Sequence, residues 1–477
     1  MSLSWGLGIA FFRTLIILSA LCTASLALST VSPHHDTRQE WVVYARKNMN
    51  NTELRRCFNS VSASRANVSL ERIAQRTKKS TVLSVRAHSE QDVYDSLQQG
   101  GHAESFHVKS NGKRLFVAAP NQNIKKHVSS NANIVASAYV PQEWFNTISW
   151  GLDRIDQRDS QLDGRYYVLH GAADQLAAVH VYVVDTGISD HHGFDADRLI
   201  LGEYNFFDGQ QTPYDCDGHG THVAGIIASI PYGVAKYNAI LHSVKVLDCA
   251  GSGTILSVMA GLNYVRYNAQ RPAVVNLSLG ASKNAALEEL IEDMIYEDGI
   301  AISCSAGNDN TEACNRSPSG SRKATVVAAS DKNSRKASFS NYGSCVDGFA
   351  PGVDILSTYK DQQIAYISGT SMASPFVAGI FVLLWGQNTS MSATQVMDLA
   401  TRQTTNNALV SSSLGASSPN KLYYSLVTSE HSVMNNSTDT PTPLPEDVSN
   451  EAPSIAAHAF VISNSVVLLV FFLYFFQ

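Results

Sequence analysis

The chain has 477 residues, 44% of them hydrophobic and 16% charged, with a formal net charge of -6. That length holds one large domain with accessory segments, and that apolar share supplies a sizeable buried core. The acidic balance offers no basic footprint for a phosphate backbone, so nucleic-acid binding is excluded as a main role.

Residues 1–27 carry a single Arg13, an apolar run and small residues suited to cleavage near Ala27, which reads as a secretory signal peptide. An uncleaved anchor is the alternative, but the run after Arg13 is short and broken by Ser and Thr. The next stretch, residues 28–142, reads as a separate unit. "EWVVYAR", "KRLFVAA" and "NIVASAYV" predict strands, and the polar "NQNIKKHVSS" predicts a helix before the last of them.

"VHVYVVDTGIS" is an apolar strand ending in Asp185, Thr186 and Gly187, which puts an acid where open α/β sheets gather their ligands. An aspartic protease needs two such carboxylates sharing a proton, and Asp-Thr-Gly occurs once. In "DCDGHGTHVAG", His219 stands between two glycines at the start of a helical run. A zinc pair with His222 is the competing reading, but a zinc helix spaces its histidines at i and i+4 around a Glu, and neither holds here. "GIAISCSAGNDN" runs a strand into Gly307 and Asn308, whose amide would stand at a strand tip.

"ISGTSMASPFVAG" sets Ser371 among small residues, with Pro375 soon after. A lone Ser of this kind is ordinarily a turn or cap; as a nucleophile it needs a base within reach, and the base needs an acid to hold its tautomer. The candidates occur in the order Asp, His, Ser, whereas an α/β-hydrolase has its serine first.

These motifs, with "SWGLDRI", "YGVAKYNAILHSVKVLDCAGSGT", "VVNLSLG" and "ASFSNYGSCVDGFAPGVDILST", resemble the subtilisin family of serine proteases and, within it, the proteinase K branch. The resemblance implies a three-layer α/β fold with a mostly parallel sheet over residues 143–427. It makes Asp185 the orienting acid, His219 the general base, Ser371 the nucleophile, and Asn308 a side-chain donor to the oxyanion. An extended substrate would lie between Gly251, Ser252 and Gly253 on one side and Ser278, Leu279 and Gly280 on the other. Ser305, Ala306 and Gly307 would border the pocket for the residue before the cut, expected to favour apolar or aromatic side chains because no acid is evident there. Phe376 departs from the family, which usually has His at this position.

The same resemblance implies disulfides Cys216–Cys249 and Cys314–Cys345, and a structural calcium ion on Asp347 with carbonyls near Ser321 and Lys323; Cys304, in an apolar strand, is expected to be a buried free thiol, with disulfide exchange as the alternative. It makes residues 28–142 an inhibitory propeptide, a small α+β, ferredoxin-like domain, cut near Gln142; a permanent N-terminal binding domain is the alternative. A catalytically silent peptide-binding pseudoprotease is a second reading of the whole. A kexin-type processing enzyme is a weaker rival, because no acid-lined pocket is apparent.

Residues 428–450 form a Ser/Thr/Pro-rich stalk, and residues 451–477 end in an apolar tail with no basic residue after it. Small residues, a polar spacer and such a tail are the pattern of a GPI-anchor signal, with a retained transmembrane helix as the alternative. N-x-S/T begins at Asn50, Asn67, Asn315, Asn388, Asn435 and Asn436, consistent with a glycoprotein of the secretory pathway; Asn276 also matches but sits in an apolar run. The expected partners are polypeptide substrates, the chain's own propeptide and a membrane, and the expected state is a monomer.

Overall fold

The computed structural model describes residues 39–45, 69–76, 80–87, 93, 116–129, 133–136, 148–167, 176–207 and 214–425. The signal peptide, the stalk, the tail and the region around Gln142 lie outside the described residues.

The centre is a nine-stranded sheet. From one edge its strands run Thr405–Asn406, Lys421–Leu422, Gly348–Pro351, Thr325–Ser330, Ile300–Ser305, Ala273–Leu277, Val179–Asp185, Ala239–Lys245 and Leu199–Asn205. Every pairing is parallel except that of the short outermost pair. Strands covered on both faces read as continuous apolar runs. "AVVNL" and "IAISCS" do so, and every one of their residues is buried.

The helix Thr370–Gln387 is apolar all round and buried from Thr370 to Gly386, so it belongs to a core rather than a surface. Among the described residues it is the one helix long and apolar enough to cross a membrane, yet 94% of its window is buried inside the protein. It packs across Ile300–Ser305, Thr325–Ser330 and Ala273–Leu277, and against the helix His219–Ala228. Phe376 is fully buried on it, its ring against Gly151, so the departure at this position is a packing contact. Because the sheet is parallel, Asp185, Leu277 and Ser305 all end their strands at one edge, and the two helices begin there with His219 and, at its second residue, Ser371.

A second sheet, antiparallel, pairs Ser69–Arg76, Thr81–Ala87, Gln39–Ala45 and Phe116–Pro120 in that order. It rests on the helices Ile255–Asn268 and Ala285–Tyr296. The seam is polar: Tyr44 Oη donates to Asp293 Oδ2 at 2.6 Å, Arg266 bonds Tyr44 and Asp298, and Ser80 Oγ bonds Asn263.

Two expectations are corrected here. The predicted polar helix in "NQNIKKHVSS" is a strand, Asn123–Lys126, paired on one side with Ser252–Thr254 and on the other with Leu279–Ser282. Its polar pattern gave no helical face to bury, and two unpaired edges in the main body supply backbone partners that local propensity cannot reveal. Next, Asn133–Ala136 pairs with Gln363–Ile367, so this strand, like Asn123–Lys126, lies on the main body rather than within the four-stranded sheet.

Candidate active site

Asp185 closes its strand fully buried, and its Oδ1 accepts a hydrogen bond from His219 Nδ1 at 2.7 Å. That contact fixes the tautomer: Nδ1 carries the hydrogen and Nε2 is left as the acceptor. His219 Nε2 is buried with no hydrogen-bond partner. The loop leading to His219 is held by Asp215, a residue the sequence reading passed over. Its buried carboxylate accepts from the backbone N–H groups of Gly218 (2.7 Å) and Thr221 (2.9 Å), and from the hydroxyls of Thr186 (2.8 Å) and Thr221 (2.6 Å). Thr186 Oγ1 in turn accepts the Gly220 N–H at 2.9 Å, tying the strand end that carries Asp185 to the helix start that carries His219. His222 faces the carbonyls of Ile355 and Ala365 through Nε2, and burial pushes its imidazole down to about 3, so it is a neutral core residue and not half of a zinc pair.

Ser371 Oγ donates to the Ser278 carbonyl at 2.8 Å, while Ser278 Oγ donates to the Ser371 carbonyl at 2.8 Å. The acid–base half of the expected constellation is therefore formed and the serine–base half is not. A serine hydroxyl turns about a single bond, and here the nearby carbonyl holds it. Asn308 accepts through Oδ1 from the N–H (2.9 Å) and hydroxyl (2.8 Å) of Thr370, which orients its amide and leaves Nδ2 buried without a partner.

The strand Asn123–Lys126 answers what that empty donor faces. The chain leaves the strand at His127, whose N–H donates to the Ser278 carbonyl at 3.1 Å and whose carbonyl accepts the Ser371 N–H at 3.2 Å. A Cβ placed on Gly369 would lie 2.4 Å from that carbonyl oxygen and 3.2 Å from Asn308 Nδ2, so only glycine fits beside the carbonyl, with the Asn308 amide close by but not bonded to it. Beyond it, Ser129 N–H donates to the Ser368 carbonyl at 2.8 Å. The residues expected to bind substrate are here paired with the chain's own segment: Ser252 and Gly253 pair with Lys125 and Ile124, Gly251 accepts from Lys126 N–H at 3.1 Å, and Leu279 and Gly280 pair with Lys126 and Lys125.

The His127 ring sits against Ser305, Gly280 and Gly307, among the residues expected to border the pocket before the cut. Its Nδ1 lies 2.7 Å from Ser305 Oγ, and a Cβ on Gly280 would collide with the ring at 2.0 Å, so that wall needs a glycine. Gly307 lines the same space, and its N–H is bonded to Thr370 Oγ1 at 3.1 Å; Ala306 is buried beneath, with its carbonyl accepting from Asn341 Nδ2 at 2.9 Å. Enclosure of the ring, followed by the charges of Arg316 and His219, holds the His127 imidazole down at about 3.

The family described as "Subtilase family" matches residues 177–423, just over half of the chain. The chain belongs to the subtilase family. Its relatives include the alkaline serine exoprotease A of Vibrio alginolyticus, 41% identical over 297 residues, covering 62% of this chain and 54% of that one. The extracellular serine proteinase of Thermus sp. (strain Rt41A) is 44% identical over 279 residues, 58% of this chain and 66% of that one. The subtilase therefore spans between about half and two thirds of the length of these two. A putative subtilase-type proteinase of the sexual differentiation process in Schizosaccharomyces pombe is 36% identical over 355 residues, 71% of this chain and 74% of that one. Among solved structures, a cold adapted subtilisin-like serine proteinase is 40% identical with a TM-score of 0.55, covering 59% of this chain and 99% of that one.

The subtilase carries the disulfides Cys216–Cys249 and Cys314–Cys345, with Cα–Cα distances of 4.9 and 5.3 Å. Cys304 is the free cysteine among the described residues; burial pushes its thiol far up, which leaves it unreactive. The first bridge anchors the loop before His219 to the loop before Gly251, and so ties the base to one wall of the cleft.

Asp347 gives calcium a partial fit. Its Oδ2 accepts the Val326 N–H at 2.8 Å, and burial, reinforced by Asp398, raises its carboxyl to about 6. Among the described residues no three His, Cys, Asp or Glu side chains are grouped to hold a metal. Calcium takes six to eight oxygens, so an ion here would draw one charged oxygen from Asp347 and the rest from carbonyls and water.

The notable residue that sequence reading missed is Asp217, two positions before His219, whose carboxylate meets Lys126. The expectation of no acid concerned the pocket bordered by Ser305, Ala306 and Gly307; Asp217 stands at the neighbouring position, against Lys126.

Proposed function

We propose that this subtilase is a serine endopeptidase made as a zymogen, in which residues up to His127 occupy the cleft as the first chain to be cut. One observation carries the reading: the His127 carbonyl accepts the Ser371 N–H beside the unpartnered Asn308 amide, with the Asp185–His219 pair at the same edge of the sheet.

In the reaction Ser371 Oγ leaves the Ser278 carbonyl and attacks the substrate carbonyl carbon, and His219 Nε2 takes the hydroxyl proton. The Nδ1–H of the resulting imidazolium is held by Asp185, whose charge stabilises it. Negative charge develops on the carbonyl oxygen, where the Ser371 N–H and Asn308 Nδ2 receive it; both are fixed in advance, by the helix start and by Thr370. His219 then gives its proton to the leaving amine as the C–N bond breaks. Water repeats the sequence on the acyl-enzyme, restoring the serine. Peptide binds by adding a strand between the Ser252–Thr254 and Leu279–Ser282 edges, so affinity comes from the main chain and selectivity from the pockets.

The maturation cut in this reading is the His127–Val128 bond, about fifteen residues before the position expected from sequence. The N-terminal four-stranded sheet is then the propeptide body, docked on the helices Ile255–Asn268 and Ala285–Tyr296. Calcium at Asp347 acts as a structural ion. The protein travels the secretory route and is tethered by a GPI anchor, to be tested by phospholipase release from intact cells.

The central test is labelling with a serine-directed phosphonate together with sequencing of the mature N-terminus. Labelling that disappears in Ser371→Ala, with wild type beginning at Val128 and the variant remaining uncut, supports the proposal. An unlabelled but processed wild type would overturn it in favour of a silent binding protein.

A further inference from the structure

Lys126 lies one residue before His127, and its side chain has a built receptor. Its Nζ is 2.6 and 2.7 Å from the two carboxylate oxygens of Asp217. The stem reaches there across Gly251, at φ +68°: a Cβ on that residue would fall 2.5 to 2.9 Å from Lys126 Cδ, Cε and Cγ. A bare glycine surface under the methylenes and a carboxylate at their end suit a long, unbranched cation.

Asp217 is fixed from several directions. Its Oδ1 also accepts the His219 N–H at 3.1 Å, its own N–H donates to Asp215 at 3.1 Å, and its carbonyl accepts the Tyr359 hydroxyl at 2.7 Å. The side chain is 8% exposed, and among the described ion pairs Lys126 is its one cationic partner. The neighbouring lysines are committed to carbonyls, Lys245 to those of Thr186 and Leu247, and Lys360 to that of Cys216. When the residues 121–127 leave the cleft, this carboxylate loses its ammonium, and a substrate bringing another lysine to that position restores the pair.

We infer that Asp217 is a specificity-determining residue, selecting lysine as the second residue before the cleaved bond, so that the preferred substrates are extended polypeptides in which Lys precedes a neutral ring or apolar residue at the cut. This rests on the reading that His127–Val128 occupies the cleavage position.

The test uses the processed enzyme secreted from the full chain and matched peptides that differ only at that second position: Lys, norleucine, Ala or Glu before a Phe at the cut. Norleucine keeps most of the stem and removes the charge. The expected kcat/KM for Lys exceeds that for norleucine by about tenfold, and the ratio shrinks as salt rises from 0.05 to 1 M, on the order expected for a partly solvated pair. In Asp217→Asn, which keeps an acceptor for the His219 N–H, the ratio falls to within about twofold while norleucine is still cleaved. In Asp217→Lys the order inverts in favour of Glu. A Lys-to-norleucine ratio near one in wild type, or one that survives in Asp217→Asn, overturns the inference while leaving a working protease. Should an Asp217 variant fail to mature, the wild-type ratio and its salt dependence decide alone. Failure of wild type to cleave any of the peptides sinks the protease reading itself, and this inference with it.

Discussion

Exchanging His for Phe at the residue before the cut, in otherwise identical Ile-Lys-Lys-X peptides, isolates the protonation of one imidazole. In solution that imidazole has its ordinary value of 6.5; in the pocket it is held at about 3 by enclosure, by Arg316 and by His219. The bound form is therefore neutral across the working range, and binding is at full strength above 6.5 and weakens as pH falls through it. At pH 5.5, one unit below 6.5, about one imidazole in eleven is neutral, so kcat/KM for the His peptide relative to the Phe peptide drops about tenfold from its plateau near pH 8, with the half-point at about 6.5. The ratio matters because titration of the enzyme's own groups acts on both peptides and cancels. The assay is initial rates for both peptides at steps from pH 5 to 8. A ratio that stays flat, or falls less than about twofold by pH 5.5, refutes the argument that Ser305, Gly280 and Gly307 enclose a ring that must be uncharged.

Other outcomes follow from the same geometry. Asn308→Ala lowers kcat by about 10²- to 10³-fold with KM little changed, measured on a peptide with Lys before Phe; this size is the one known for the same kind of donor in subtilisin and is carried over with the family. Ser371→Ala accumulates as the uncut chain on a gel, with residues up to His127 still covalently attached, and addition of active enzyme in trans cleaves it to a product whose mass begins at Val128. Breaking the Cys216–Cys249 bridge by a double Ser substitution costs about 3–4 kcal/mol for a loop with a sequence separation of 33, read from the denaturant midpoint of phosphonate-inactivated protein. Chelation lowers the thermal midpoint of wild type by several degrees, and Asp347→Ala removes the difference between chelated and calcium-loaded protein; equal shifts in both would place the ion elsewhere.

The candidate catalytic side chains were legible in the sequence because the proposed chemistry demands particular types in particular settings. An acid must end a strand, a histidine must open a helix between glycines, and a serine must start a helix small enough to be buried; "VVDTG", "DGHGTH" and "SGTSMASP" state those conditions locally. The two disulfide pairings were carried by resemblance and the buried thiol of Cys304 by its apolar strand, and the cysteines stand accordingly. Asp215 and Asp217 were not legible. Each is an ordinary loop acid by type, and its role comes from what folds around it: two threonine hydroxyls and backbone N–H groups in one case, a lysine some ninety residues earlier in the chain in the other. The helix expected at "NQNIKKHVSS" failed for a related reason, since nothing inside that segment says that two strand edges will take it up.

The sequence by itself determined which residues have the chemistry of acid, base, nucleophile and amide donor, because turn chemistry and apolar runs are written in neighbouring residues. The mostly parallel sheet that would carry them came with the family resemblance that the motifs show. Only the tertiary structure decided that the Ser371 hydroxyl rests on the Ser278 carbonyl, that the His127 carbonyl accepts the Ser371 N–H, and that Lys126 ends at Asp217. Those contacts join segments far apart along the chain. Their strength comes from shielding and from main-chain pairing, which exist only once the cleft has formed.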